Sequence, residues 1–420
     1  MKLHKLQILS ALKEQAAWLL LTGAMLLMGS CQQAPAPTQE TELSQLPWDT
    51  IGQRAQGQNL QMMMWQGDPQ INAYMNNYVK PILKERFNIK LDIAAGQGTQ
   101  IVSLLMNEKQ AGTATSEVDL VWINGETFYQ LRQIEALYGP FLERLPNQQY
   151  LDLANPFISQ DFQQPIGGME APWGNVQMTV IYNSQEVAEP PMNLEQLSRF
   201  VKNNPGKFTI PTEFTGMTLL KSWLMALAGK EALQGSFKED LYRKHSDSLF
   251  NWINAHRAYF WKQGASFPES LSQMHQMFAN GELYFTFSNN DTEVENKINQ
   301  GIFPDWARAY VYESGTIQNS HYLGIVNNAA HKEAAMVAIN FLLSPEAQYE
   351  KLQPKVWGDG TVLKAQELPL PWPEKFEALL ERQFAPPRDS LENYALQELA
   401  PEYMVRLYED FRKRVVETNG

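Results

Sequence analysis

The sequence predicts an α/β protein built from two doubly wound units, and three observations carry that expectation. Short apolar runs alternate with segments of helical periodicity, the pattern of strands joined by helical crossovers. The loops between them are short, which implies right-handed connections and sheets covered on both faces. The same unit then repeats in kind beyond Pro172, and 420 residues suffice for two or three domains at roughly 150 residues each.

The elements follow in order. Leu60–Trp65 is a buried strand ending at Gln66-Gly67, and Ile71–Phe87 is a helix that tolerates Pro69 in its first turn. Ile89–Ala94 is the next strand; Gly96-Gln97-Gly98-Thr99 leads into a helix with Ile101, Leu104 and Leu105 on one face. Val118–Ile123 is a third strand, and Asn124-Gly125-Glu126 opens a helix through Phe128, Leu131 and Ile134. Past Pro172 come a strand over 173–182, a helix over 192–202, a short strand Phe208–Pro211 and a strongly apolar helix from Thr215 to Ala228. Gly281–Phe287 is a late strand closing on Ser288-Asn289-Asn290-Asp291. Tyr322–Val326 leads into a helix over His331–Leu343, after which Ser344-Pro345-Glu346 supplies a cap, a first-turn proline and a first-turn acid for the next. The last helix carries Met404, Leu407, Tyr408, Phe411 and Val415 on one face.

Composition narrows the function. Thirty-four basic residues face 46 acidic ones, a net charge of -12, so nucleic acid is not an expected partner. The single cysteine, Cys31, forbids an intrachain disulfide and any paired-cysteine metal site. Lys2, Lys5 and Lys13 precede an apolar run from Ala16 to Met28 that ends in Gly29-Ser30-Cys31, the order of an export signal. That run is shorter than the roughly 20 residues a spanning helix needs. Cysteine after two small residues resembles the bacterial lipobox, with Met28 and Ser30 departing from its commonest residues. Residues 1–30 therefore read as a lipoprotein-type signal peptide and Cys31 as the lipidation site. The alternative is ordinary signal-peptidase cleavage. Residues 31–58 read as a flexible tether beginning Gln32-Gln33-Ala34-Pro35-Ala36-Pro37.

The Trp65-Gln66-Gly67 turn, Val118-Asp119-Leu120-Val121-Trp122, Phe278-Ala279-Asn280-Gly281-Glu282, and above all Lys332–Ala335 running through Ile339–Leu343 into Ser344-Pro345-Glu346-Ala347-Gln348 resemble the extracellular solute-binding proteins of ABC importers. The resemblance spans nearly the whole mature chain and is nearest to the YnjB-type branch, beside thiamine, iron and polyamine binders. It implies the type II periplasmic-binding fold, two lobes joined by two crossing segments with the ligand between them. Lobe I is expected over 59–172 plus 322–420, its C-terminal helices able to touch both lobes, and lobe II over 173–321. The crossings fall near Glu170–Asn175 and Thr316–Tyr322. Partners implied are a small-molecule solute, a permease in the inner membrane and the membrane itself through the lipid anchor, for a monomeric periplasmic protein.

Candidate binding residues sit where strands end. N–H groups at Gly98, Thr99 and Gln100, and at Thr215, Gly216 and Met217, stand at helix N-termini that favour anionic groups. Trp65, Trp122 and Trp173 offer ring faces for an aromatic or cationic ligand, with Glu126 and Asp291 as countercharge. Asn124, Gly125, Asn175, Asn289 and Asn290 complete the set as turn formers and amide donors. A small ring-containing organic cation, thiamine in particular, fits the acids and aromatics; anions fit the helix ends. Gly96-x-Gly98 is half a dinucleotide fingerprint, but Ile101 replaces its third glycine, so no cofactor is expected. No GxSxG, HExxH or GxxxxGK is present, and the six histidines lack metal-ligand spacing; only His321, near a crossing, stands out. Neither catalysis nor a metal is expected. An exported hydrolase with a spatially assembled carboxylate pair, and a sensor or scaffold lipoprotein, are the competing readings.

Overall fold

A computed structural model describes residues 43–379 and 381–417. The signal segment, Cys31 and the start of the tether lie outside the described residues. From Pro47 onward the chain forms one compact unit, whose strands make a seven-stranded mixed sheet and a three-stranded antiparallel one.

The large sheet begins with β1 (Asn59–Met64), β2 (Lys90–Ala95) and β3 (Leu120–Ile123), all parallel and centred on β1. The alternation in β1 puts Leu60, Met62 and Met64 inside, and each strand is followed by its expected helix. Asp68 caps the first, its side chain accepting from Gln70 and Ile71 N–H ahead of Pro69. That helix runs unbroken to Phe87 with a wider turn at Tyr74–Val79, and Asn88 closes it at φ 52°.

Two long strands run side by side in opposite directions. β7 (Ala171–Gln177) pairs with β11 (Thr316–Val326) over Gln318–Leu323. β11 also pairs with β3, with β4 (Leu137–Tyr138) and, in parallel, with β12 (Ala395–Gln397). The single strand expected over 173–182 is two strands in two sheets: after Met178 the chain enters β8 (Thr179–Asn183), which lies between β9 (Phe285–Ser288) and β10 (Ala307–Tyr310). Phe208–Pro211 is buried without becoming a strand.

Two further boundaries shift. The stretch 48–58, expected in the tether, holds the helix Trp48–Ala55, because Ile51 and Ala55 make an apolar edge that buries fully. The C-terminal stretch, expected with the first lobe, shares its core with the small-sheet side. Leu396, Leu399, Tyr403, Met404, Leu407, Phe411 and Val415 pack with Met217, Leu220, Trp223, Phe250 and Phe287. The reason is the apolar stripe of the helix Pro401–Phe411, which needs a broad apolar partner and meets the Phe214–Ala228 helix. Among the described residues no helix is long and apolar enough to cross a membrane.

Candidate functional site

The two helix N-termini expected to offer N–H groups, at Gly98 and Thr215, and that of the Gly125–Gln133 helix each face polar side chains of the chain itself. Gln97 and Gln100 form a reciprocal capping box at the start of Gly98–Ala111. The Asp161 carboxylate accepts from Gly125 N–H at the start of Gly125–Gln133. Glu213 stands at the N-cap of Phe214–Ala228 without a side-chain capping hydrogen bond; burial raises its carboxyl, and the nearby Thr215 and Gly216 N–H groups oppose that. Carboxyl groups thus stand at two of the three positive helix ends, which changes the electrostatics that Thr99, Gln100, Thr215, Gly216 and Met217 suggested. Met217 is itself fully buried in the core. Gly216 allows close packing, since a Cβ there would lie 1.7 Å from the Pro211 carbonyl oxygen.

Two loops do converge. A Cβ built on Gly98 would stand 3.5 Å from Thr127 Oγ1 and 3.9 Å from Glu126 Oε1, so the β2 and β3 ends adjoin. Glu126 is drawn further into a buried polar cluster. Its carboxyl is pushed up to about 7, chiefly by burial, with Glu398 adding and its own N–H and Lys221 opposing. Asp161 is raised well above the usual range by burial and then by Glu126 and Glu398. Glu170 is raised by burial and then by Asp161, against Arg132. Glu126 Oε2, Thr127 Oγ1, Asp161 Oδ2, Glu213 Oε1 and both Glu170 carboxylate oxygens are buried without a hydrogen-bond partner. Groups of this kind are normally satisfied, so each invites a missing partner.

Lys221 is the cation of the cluster. Its side chain is fully buried, 2.5 Å from Glu398 Oε2 and 4.1 Å above the Phe162 ring centroid. Phe162 belongs to a hairpin, β5 (Gln160–Asp161) and β6 (Gln164–Pro165), whose tip residues Phe162 and Gln163 hold φ of 45° and 63°. Two consecutive non-glycine residues in the left-handed region carry strain that surrounding contacts must hold. Those contacts are present: Gln163 Nε2 donates to Gln234 Oε1 and to the Glu398 carbonyl at 2.6 Å each. Gly125 makes room for the ring, since a Cβ there would fall 1.8 Å from Phe162. Tyr408 reaches the same place from the C-terminal helix; burial raises its phenol, and Glu126 and Glu213 raise it further.

The other expected residues lie elsewhere. Trp173 is fully buried, and Trp122 meets it edge-on at 5.2 Å. Both pack against His321 and Trp357. His321 Nε2 stands 3.0 Å from both Asp359 oxygens, and Lys351 donates to the same carboxylate. This is a structural knot beside the paired long strands. Trp65 covers Gly67, where a Cβ would sit 2.4 Å from the indole. Asn175 spends its amide inside the paired strands, donating to Phe157 O, Asn319 O and Ser320 Oγ and accepting from Gln318. Asn289 Nδ2 donates to Thr215 Oγ1 at 3.2 Å, joining two expected loops. Asn290 Oδ1 closes its own turn on Thr292, and Asn124 supplies the first carbonyl of its helix.

Asp291 is not a free countercharge. Burial works to raise it, but Arg388 and Arg382 outweigh that and hold it at about 2, with Arg382 at 2.5 Å and Arg388 at 3.4 Å.

Sequence reading missed Asp161, Phe162, Glu170, Glu213, Lys221 and Glu398, which come from separate segments. One signal was available: Lys221 is the lone charge in an otherwise apolar helix, Phe214–Ala228, where a buried partner is required.

Residues 77–378 match the family described as bacterial extracellular solute-binding protein. The Escherichia coli (strain K12) protein YnjB is 34% identical over 327 residues, 77% of this chain and 84% of that protein. Among solved structures, a putative spermidine/putrescine ABC transporter protein from Listeria monocytogenes superposes with a TM-score of 0.59 at 15% identity, covering 85% of this chain and 98% of the other. Iron-bound HitA from Pseudomonas aeruginosa gives 0.56 at 15% identity over 84% and 98%. The periplasmic binding protein AfuA from Actinobacillus pleuropneumoniae, with fructose-6-phosphate bound, gives 0.58 at 13% identity over 86% and 99%. The fold is that of the two-lobe periplasmic binders, and the chain belongs to the bacterial extracellular solute-binding proteins.

Proposed function

We propose that this chain captures a small, ring-containing organic cation, thiamine being the leading candidate, and delivers it to an inner-membrane permease. The lobes would be the expected 59–172 with 322–420 and 173–321, with residues after about 384 shared, and β7 and β11 as the crossings. The observation that carries the cationic reading is the Glu126 cluster. Carboxyl groups, Asp161 and Glu213, stand at the helix ends at Gly125 and Phe214, and Glu126 Oε2 is buried with no partner. An anionic solute there would meet four carboxyl groups; a cation would relieve one. Tyr408 replaces the tryptophans as the aromatic surface beside the charge, where a cation–π contact contributes about 0.5–2 kcal/mol, the Phe162 face being taken by Lys221.

Export through residues 1–30, acylation of Cys31 and a periplasmic, membrane-tethered, monomeric state complete the reading. Intact mass of the exported protein reads the acylation. A thermal-shift screen tests the solute: ligand at 100 times its Kd stabilises the fold by about 2.7 kcal/mol. Thiamine or another organic monocation should shift the transition. A shift with a sugar, sulfate or ferric ion and none with organic cations refutes the proposal.

A further inference from the structure

Lys221 is an ammonium group already seated in an organic-cation site. It stands on an aromatic face, Phe162 at 4.1 Å, and against a carboxylate, Glu398 at 2.5 Å, with no solvent exposure. Around it lie the carboxyls of Glu126, Asp161 and Glu170, the phenol of Tyr408 and, further out, Arg132. These carboxyls are not equally available. Asp161 is held well above the usual carboxylate range by burial, against Lys221 and the Gly125 N–H. Glu170 is wholly buried, where a carboxyl keeps its proton in preference to ionising unpaired. Lys221 answers Glu398. Glu126 Oε2 is left without a hydrogen-bond partner, and its Oε1 borders the Gly98 loop.

Building on the cation reading above, we infer that Lys221 sets the charge of the solute: by occupying the Phe162–Glu398 position from inside the protein, it leaves room for one further positive charge and excludes dications. Without Lys221, Glu398 and the Phe162 face become a second cation subsite beside Glu126, and a diamine fits both.

The test is a series of variants of the full-length chain, titrated calorimetrically with thiamine as monocation and putrescine as dication. Wild type should prefer thiamine. Lys221→Gln should move the thiamine-to-putrescine preference toward putrescine by roughly tenfold or more, the effect of one added unit charge at close range. The double variant K221Q/E398Q restores the charge balance and should return to the wild-type preference. E398Q alone, which leaves Lys221 unanswered beside Glu126, should weaken both amines by about tenfold, and it serves if K221Q does not fold. Unchanged preference in K221Q, a double variant that follows K221Q, E398Q equal to wild type, or a wild type that prefers putrescine would each overturn the role of Lys221. A wild type that binds neither of these amines nor any other organic cation overturns the cation reading itself, and this inference with it.

Discussion

In the proposed site Glu126 would couple solute binding to pH, and its replacement should separate stability from function. Its carboxyl sits near 7 in the folded protein against an ordinary value of 4.5. Between those values the folded chain holds a proton that the unfolded chain has released, so rising pH destabilises the fold across that window. The full effect, reached above pH 7, is roughly 3 kcal/mol for a shift of about 2.5 units. A cation needs the ionised form. Only about 1% of Glu126 is ionised at pH 5, half at pH 7 and nearly all at pH 8.5, so affinity should rise about 100-fold over that range. Asp161 and Glu170 are likewise held well above the usual carboxylate range by burial. Glu126→Gln should therefore act in two directions at pH 8. The ligand-free melting temperature should increase, because a buried unpaired charge is gone. Cation affinity should fall by about 10- to 100-fold, the loss of a charge-assisted contact, and its pH dependence should flatten. Differential scanning calorimetry and isothermal titration at pH 5, 7 and 8.5 read both. An E126Q chain that melts lower at pH 8, or that keeps the wild-type pH profile of binding, refutes the reasoning.

Two further outcomes follow from pairs outside the cluster. Asp291→Asn leaves Arg382 and Arg388 facing each other without their carboxylate, and should cost roughly 3–5 kcal/mol by urea denaturation at pH 7; in wild type the stability from Asp291 is present above pH 4 and lost as pH falls toward 2, since its carboxyl is lowered to about 2. A D291N midpoint equal to wild type at pH 7 would show that the triad is not holding the β9 end. Lys297 Nζ lies 2.6 Å from Asp68 Oδ2, and Ser272 donates to the Gly67 carbonyl, two contacts that close the proposed lobes on each other. Lys297→Ala should give a larger radius of gyration by small-angle scattering without ligand and a wild-type value at saturation; identical ligand-free profiles count against a closing cleft.

The fold was legible where local chemistry decides it. Asp68-Pro69 and Ser344-Pro345 cap helices as their residue types require, and the apolar runs at 60–64, 118–123 and 322–326 became buried strands. Legibility ended where pairing is set by distant segments. Trp173–Tyr182 looks like one strand, yet Met178 marks the change of sheet because Gln177 pairs with Gln318 and Thr179 with Ser288. Trp173 and Asp291 show the same limit for the site. An indole beside a strand end is core or ligand wall depending on whether Trp122, His321 and Trp357 arrive to cover it. An aspartate after a strand is a free charge only if no arginine 91 and 97 positions later returns to it.

The reading of solute charge turns on the same non-local fact. From sequence, helix N-termini at Gly98 and Thr215 favour an anion while Glu126 and Asp291 favour a cation, and local rules give no way to rank them. The hairpin residue Asp161 and the N-cap Glu213 bear on the ranking, because each places a carboxyl group, raised by burial, at a helix end that an anionic solute would need. In the proposed site a cation displaces protons from carboxyls that burial has raised. Structural neighbours named for polyamine, iron and a sugar phosphate show that one fold serves both signs of charge, so the architecture does not set the sign, and the proposed selectivity falls to side chains such as Asp161, Lys221 and Glu398.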